Sequence, residues 1–183
     1  MYTSLEQPSM AVNDSRLAAQ VQMWNTRLVH ANDSLGNIFD NIVSVAKSAP
    51  GGKLKNLVFN CHGFPGYLQM GEGIDRVSAV IFRMLSRPKP LVDTIWLRSC
   101  LVARIQKPGD PVQGDGNLFC SEIAQYAQCL VLASTTEQKS HDFVRLHPFG
   151  CIDEWEGTVL CYGPKGNVVD SKTYPAWSMW TSE

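Results

Sequence analysis

The chain has 183 residues, 44% hydrophobic and 18% charged, with 16 Lys and Arg against 17 Asp and Glu and a formal net charge of -1. That is ordinary composition for one domain with its own core, and no basic run or aromatic-basic stripe marks a phosphate-tracking surface, which argues against nucleic acid as a partner. No apolar stretch approaches the roughly 20 residues of a membrane span, and the polar start Met1-Tyr2-Thr3-Ser4-Leu5-Glu6 lacks the regions of a signal peptide; a cytoplasmic protein off the membrane is expected, with leaderless secretion left open.

Residues 1–13 carry Pro, Ser, Gln and Asn with little periodicity and read as a flexible arm ahead of a single domain over 14–183. Ser15 to Met23 is expected to form a short helix and Thr26 to Ala31 a brief strand. Asp33-Ser34 then reads as an N-cap, and Leu35, Ile38, Phe39, Ile42, Val43 and Ala46 recur with the spacing of a helix that buries one face. Pro50-Gly51-Gly52 stops it. The run Leu57-Val58-Phe59 predicts a strand covered on both faces, ending at Asn60-Cys61-His62-Gly63. After a Gly63-Pro65-Gly66 turn comes a short extended piece, Tyr67 to Met70. The next helix takes Asp75 as cap and is expected to set Val77, Val80, Ile81, Met84 and Leu85 on one face, stopping at Arg87-Pro88.

A second buried strand, Thr94-Ile95-Trp96-Leu97, leads to Arg98-Ser99-Cys100. The linker Arg104 to Gly116 is rich in Gly, Pro and Asp, and long loops inside compact domains are usually functional. A third helix, with Leu118, Phe119, Ile123, Ala124 and Ala127 inward, leads to a third strand, Leu130 to Ser134. Gly157 to Tyr162 and Asn167 to Val169, around Gly163-Pro164-Lys165-Gly166, read as an antiparallel hairpin at a sheet edge. The aromatic end, with Tyr174, Trp177 and Trp180, is expected to fold back onto the body. Of the six cysteines, Cys61, Cys120, Cys129, Cys151 and Cys161 read as packing residues, and neither disulfides nor a zinc site are expected.

The strand ends carry the chemistry. In a parallel sheet the loops after the carboxyl ends of the strands line the ligand crevice, so His62 and Cys100 share one rim. A thiol attacks carbonyl carbon as thiolate, and a histidine can take its proton and return it to the leaving group. Gly63 leaves its N–H unshielded; with the N–H of Cys100 it is placed to hold an oxyanion. No third residue orienting His62 is identified, although Asn60, Glu72 and Asp75 are close in sequence.

An apolar strand ending in His-Gly, followed by one ending in a small residue and Cys, resembles the caspase-like, or clan CD, cysteine peptidases. The stretch from Asn60 to Gly71, then Trp96 to Ala103, then Gly116 to Thr135, is similar to bacterial caspase-like domains of the CHAT-like and related kinds. The resemblance implies a three-layer α/β/α sandwich with a mainly parallel sheet and a catalytic dyad of His62 and Cys100. It further implies a protein or peptide substrate, no cofactor and no metal, and a place in a bacterial effector or signalling system. Around Cys100 the sequence departs from the Gln-Ala-Cys setting of true caspases, so their aspartate preference does not follow.

Arg98 and Asp153 are candidate substrate contacts; Arg98 is equally suited to structural pairing, and acidic clusters such as Asp153, Glu154 and Glu156 are often simply solvated. Gly114-Asp115-Gly116 lacks a P-loop Lys and reads as a helix cap. Arg104 and Lys107 mark a possible processing site. The alternatives to a peptidase are a catalytically inactive binding module and a deamidase or acyltransferase using the same dyad. A homodimer through a sheet edge is left open.

Overall fold

A computed structural model describes residues 2–105, 114–139 and 146–175. Its strands are β1 (Tyr2–Ser4), β2 (Ser9–Asp14), β3 (Asn25–Val29), β4 (Leu54–Asn60), β5 (His62–Phe64), β6 (Tyr67–Gln69), β7 (Val92–Arg98), β8 (Leu130–Ser134), β9 (Cys151–Asp153), β10 (Gly157–Tyr162) and β11 (Val168–Tyr174). The α-helices are α1 (Leu35–Ser48) and α2 (Gly116–Ala127), and Ser78–Leu85 winds as a 3-10 helix. The protein is mixed α/β around a seven-stranded sheet of order β11-β10-β8-β7-β4-β2-β3. The five strands from β3 to β8 are parallel, and β10 and β11 close one side as the expected antiparallel hairpin.

Right-handed crossovers explain where the helices lie. The connections β3 to β4, β4 to β7 and β7 to β8 all step the same way across the sheet, so α1, the 3-10 helix and α2 fall on one face. There they bury Ile38, Phe39, Ile42, Phe82, Leu85, Phe119 and Ile123 against Met10, Val12, Leu57, Phe59, Ile95, Leu97, Val131 and Ala133. The rings of Phe39, Phe59 and Phe82 meet at its centre, with centroids 4.9 to 6.1 Å apart. Only β2 to β3 steps the other way, and its ten-residue connection holds no helix. On that face the described residues offer the β1–β9 ribbon and the 15–24 segment, which pack Leu5, Val21, Met23 and Ile152 on Ala11, Val58 and Trp96. The helical layer is therefore seen on one face of the sheet.

Several expectations change. Residues 9–14 are no loose arm: β2 is fully buried between β3 and β4. Its alternation of Ser, Ala and Asn with Met and Val hides the signal, because the polar positions are buried too. Ser15 to Met23 forms turns and loop in place of a helix. β4 is buried on both faces as expected, apolar on the helical face and with Asn56 and Asn60 beside Val58 on the other. The third correction concerns the face of the 3-10 helix. At three residues per turn the inward set is Ala79, Phe82 and Leu85, and Val77 and Val80 are 84% and 43% exposed. Leu118 of α2 is likewise 43% exposed. The other elements match: Ser34 caps α1 by accepting from the Asn37 N–H, and Asp115 caps α2 by accepting from that of Leu118. Trp177, Trp180, Lys107 and most of the 104–116 linker lie outside the described residues. No helix among the described residues is long and apolar enough to cross a membrane.

The 3-10 register makes a prediction. Phe82→Ala, which empties the aromatic cluster, is expected to cost about 3–5 kcal/mol in denaturant unfolding, and Val77→Ser no more than about 0.5 kcal/mol. An α-helical register would bring the two costs together.

Candidate functional site

The crevice forms where β2 and β4 part. From β2 the chain leaves toward β3, whereas from β4 it leaves toward β7, and in open parallel sheets ligands bind at such a switch point. A cavity of about 160 Å³ opens there, lined by Leu17, Ala19 and Val21 after β2, Asn60 to His62 at the end of β4, and Arg98 to Cys100 at the end of β7. Gln138, Lys139, His147 and Asp153 complete its wall. His62, Cys100, Arg98 and Asp153 are thus brought to one place, and Gly63 lies directly behind it.

Two backbone devices shape the cysteine. The β5–β6 hairpin lies along residues 98–102, with the Cys61 N–H donating to the Arg98 carbonyl at 3.4 Å and that of Gly66 to Val102 at 3.2 Å. Between them, a Cβ on Gly63 would stand 2.6 Å from Val102 Cγ2, 2.7 Å from Ser99 Cβ and 2.8 Å from the Cys100 carbonyl oxygen, so no larger residue fits. Leu68, the partner of Gly63, exchanges its own N–H and C=O with Ile74. That makes Gly63–Leu68 a non-hydrogen-bonded pair, whose Gly63 N–H points away from Leu68. The N–H of Cys100 makes no hydrogen bond among the described residues. The second device is Leu101, at φ +61. A left-handed leucine costs about 1–2 kcal/mol, and here the Leu101 N–H donating to the Thr136 carbonyl (3.0 Å) and that of Ala103 to Ser134 (3.0 Å) hold the turn.

The cysteine's immediate partner is Gln138, which the sequence reading passed over. The Cys100 Sγ–H donates to the Gln138 carbonyl at 3.3 Å, and Sγ accepts from the Gln138 N–H at 3.3 Å. The Gln138 side chain in turn accepts from Arg98 Nη1 (3.0 Å) and the Glu156 N–H (3.1 Å), and donates to Ser134 Oγ and the Glu156 carbonyl, both at 2.8 Å. His62 is exposed, on the next strand exit, and no hydrogen bond joins it to Cys100 among the described residues. None of the nearby candidates is bonded to it: Asn60 bonds to Asn13, Glu72 accepts from the Leu35 N–H and Asp75 accepts from the Ser78 N–H.

Arg98 is 8% exposed, its guanidinium 4.6 Å over the Trp155 ring. Burial lowers its pKa despite the charge of Asp153 nearby. Asp153 is buried, and its Oδ2 accepts from His147 Nε2 at 2.7 Å. His147 Nδ1 also meets the Gln20 carbonyl at 2.9 Å. Both ring nitrogens therefore face acceptors, which suits the doubly protonated ring. Burial alone would lower the His147 pKa, and Arg98 adds to that, but the hydrogen bonds to Asp153 and Gln20 and the Asp153 charge raise it above the ordinary value. Asp14 behaves oppositely: burial would raise it, but hydrogen bonds from Arg16 and the Gly71 N–H, with the Arg16 charge, hold it below the usual carboxylate range. Arg16 passes that anchor on to the hairpin, donating to the carbonyls of Gln69 (3.0 Å) and Gly71 (2.9 Å). All six cysteines carry free thiols, and burial pushes Cys61 and Cys129 up to about 12 and Cys120 still higher. Among the described residues no three of His, Cys, Asp or Glu gather as a metal site.

A raised histidine pKa stabilises the fold below the unfolded value of about 6.5, and that stability is lost as pH rises through the folded value. The wild-type melting temperature, less that of His147→Gln, is therefore expected to fall as pH climbs above about 6.5; a difference that grows with pH contradicts the doubly bonded ring. Gly63→Ala is expected to cost about 1–3 kcal/mol by overpacking, read by denaturant unfolding, and to shift the amide resonances of Ser99 and Cys100. No family model, curated protein or solved structure matches the chain.

Proposed function

We propose that the chain is a cysteine hydrolase, an endopeptidase of caspase-like build in which Cys100 is the nucleophile and His62 the general base and acid. The observation that carries this reading is the meeting of His62 and Cys100, from the exits of adjacent parallel strands, on one cavity. The strand order and the placing of the site at a switch point support it, as do the close fit of Gly63 and the left-handed turn after Cys100.

In this mechanism the Cys100 proton passes from the Gln138 carbonyl to His62, and the thiolate attacks the substrate carbonyl carbon, forming a C–S bond. The oxyanion points at the N–H groups of Gly63 and Cys100. His62 returns the proton to the leaving amine as the C–N bond breaks, and water, deprotonated by His62, hydrolyses the thioester. Arg98 and Asp153 shape the substrate pocket from below, through Gln138 and His147, more than by presenting free charges.

One observation favours a second reading, binding without catalysis: the thiol is held on both sides by the Gln138 backbone. Iodoacetamide labelling against pH, read by peptide mass spectrometry, separates the two. For the hydrolase, Cys100 labels ahead of the other five thiols with an apparent pKa well below about 8.5, and His62→Ala restores an ordinary value. A Cys100 that titrates identically with and without His62 leaves the binding module.

A further inference from the structure

At the opposite end of the sheet from the cavity, a polar groove of about 620 Å³ runs between the end of the 3-10 helix, the end of α2 and the turn joining β10 to β11. Arg83, Arg87 and Lys165 line it, with Ser86, Gln125 and Tyr126 between them. A neighbouring hollow adds Lys47 beside the same two arginines. Among the described residues no carboxylate lines either one. Arg16, Lys53, Lys55 and Arg76 each meet an Asp or Glu, whereas Lys47, Arg83, Arg87 and Lys165 make no ion pair among the described residues, and what sets these four apart is that they gather on adjoining hollows.

On a chain of net charge -1, such a gathering is a local positive field with no carboxylate among its described lining residues. Its shape is fixed in part, because the Arg83 guanidinium stacks 4.9 Å over the Tyr126 ring. The C-terminal end of α2 points into the same region and carries roughly half a negative charge. Three full positive charges outweigh that, and the α2 terminus is further quenched by Gln128, whose N–H donates to Ala124 and whose side chain donates to the carbonyls of Gln125 and Pro164.

We propose that this groove is a binding site for a small soluble molecule bearing two or more phosphate groups. Two arginines with planar forks match phosphate oxygens pairwise, and the lysines on either side call for charge spread over more than one group. The volume lies within the roughly 300–1,000 Å³ of small-molecule sites. A nucleic-acid strand is a poor fit, since the one aromatic ring among the groove's described lining residues, Tyr126, is already covered by Arg83 and offers no base-stacking platform.

The test is isothermal titration of the full chain with tripolyphosphate near about 0.15 M salt. Binding is expected with a Kd below about 1 mM, weakened at least about tenfold in the exposed-site double variant Arg87→Gln/Lys165→Gln. The variant Lys53→Gln/Lys55→Gln, elsewhere on the surface, is expected to bind as wild type, and thermal melts confirm that each variant is folded. No binding, or equal weakening by both double variants, overturns the proposal. Flotation with phosphatidic-acid vesicles runs alongside, and association with vesicles in the absence of tripolyphosphate binding overturns the assignment to a soluble ligand.

Discussion

Asn13 and Asn60 stand opposite one another on adjacent parallel strands, both buried, and the second face of the sheet depends on what their amides do. Asn60 Nδ2 donates to Asn13 Oδ1 and to the Ala19 carbonyl, each at 2.9 Å. Asn13 donates to the Val21 carbonyl at 2.9 Å and accepts the Val21 N–H at 2.8 Å. The segment after β2 has no helix to satisfy its own backbone, so these amides do it, and buried amides left unpaired would each cost about 1–3 kcal/mol. The same four bonds fix Ala19 and Val21 as one wall of the cavity. Fold and site therefore share one polar network, continued at the base of the sheet by Asn56 with Ser9 and the Trp96 indole.

The polarity of that face is why parts of the fold were legible in the sequence and parts were not. β4, β7 and β8 announce themselves because each carries a continuous apolar run, Leu57-Val58-Phe59, Ile95-Trp96-Leu97 and Leu130-Val131-Leu132-Ala133. β2 is as buried as any of them, yet Ser9, Asn13 and Asp14 make it look solvated, since a sequence shows the polar atom and not its partner. α1 and α2 carry caps and stripes that local physics alone dictates. The 3-10 helix is a different failure: Val77 and Val80 fit an α-helical stripe, but the tighter winding turns Ala79, Phe82 and Leu85 inward instead.

The candidate site divides in the same way. His62, Gly63 and Cys100 are visible as strand exits followed by tight turns. Gln138 is not, because its work is done by a backbone N–H and C=O and an amide that reaches Arg98, Ser134 and Glu156, and nothing in its neighbours marks it. His147 was equally hidden; its partners Gln20 and Asp153 lie on segments brought together only by the β1–β9 ribbon and its surroundings. Long-range polar satisfaction leaves no periodicity to read.

The turn after Cys100 has a consequence for the chain as a linear object. Leu101 and Ala103 precede the linker, but the carbonyls that hold them, on Thr136 and Ser134, come after it. β7 and β8 pair in parallel across the same divide, and Gly116 donates back to the Arg104 carbonyl at 3.0 Å. The environment of the cysteine is thus assembled jointly by two stretches of polypeptide, neither of which contains it alone. A ribosome that has released residues 2–105 has made the thiol but not its setting. By the same logic, a single scission between those stretches would leave two fragments whose complementation rests on a strand ladder and not on a covalent bond.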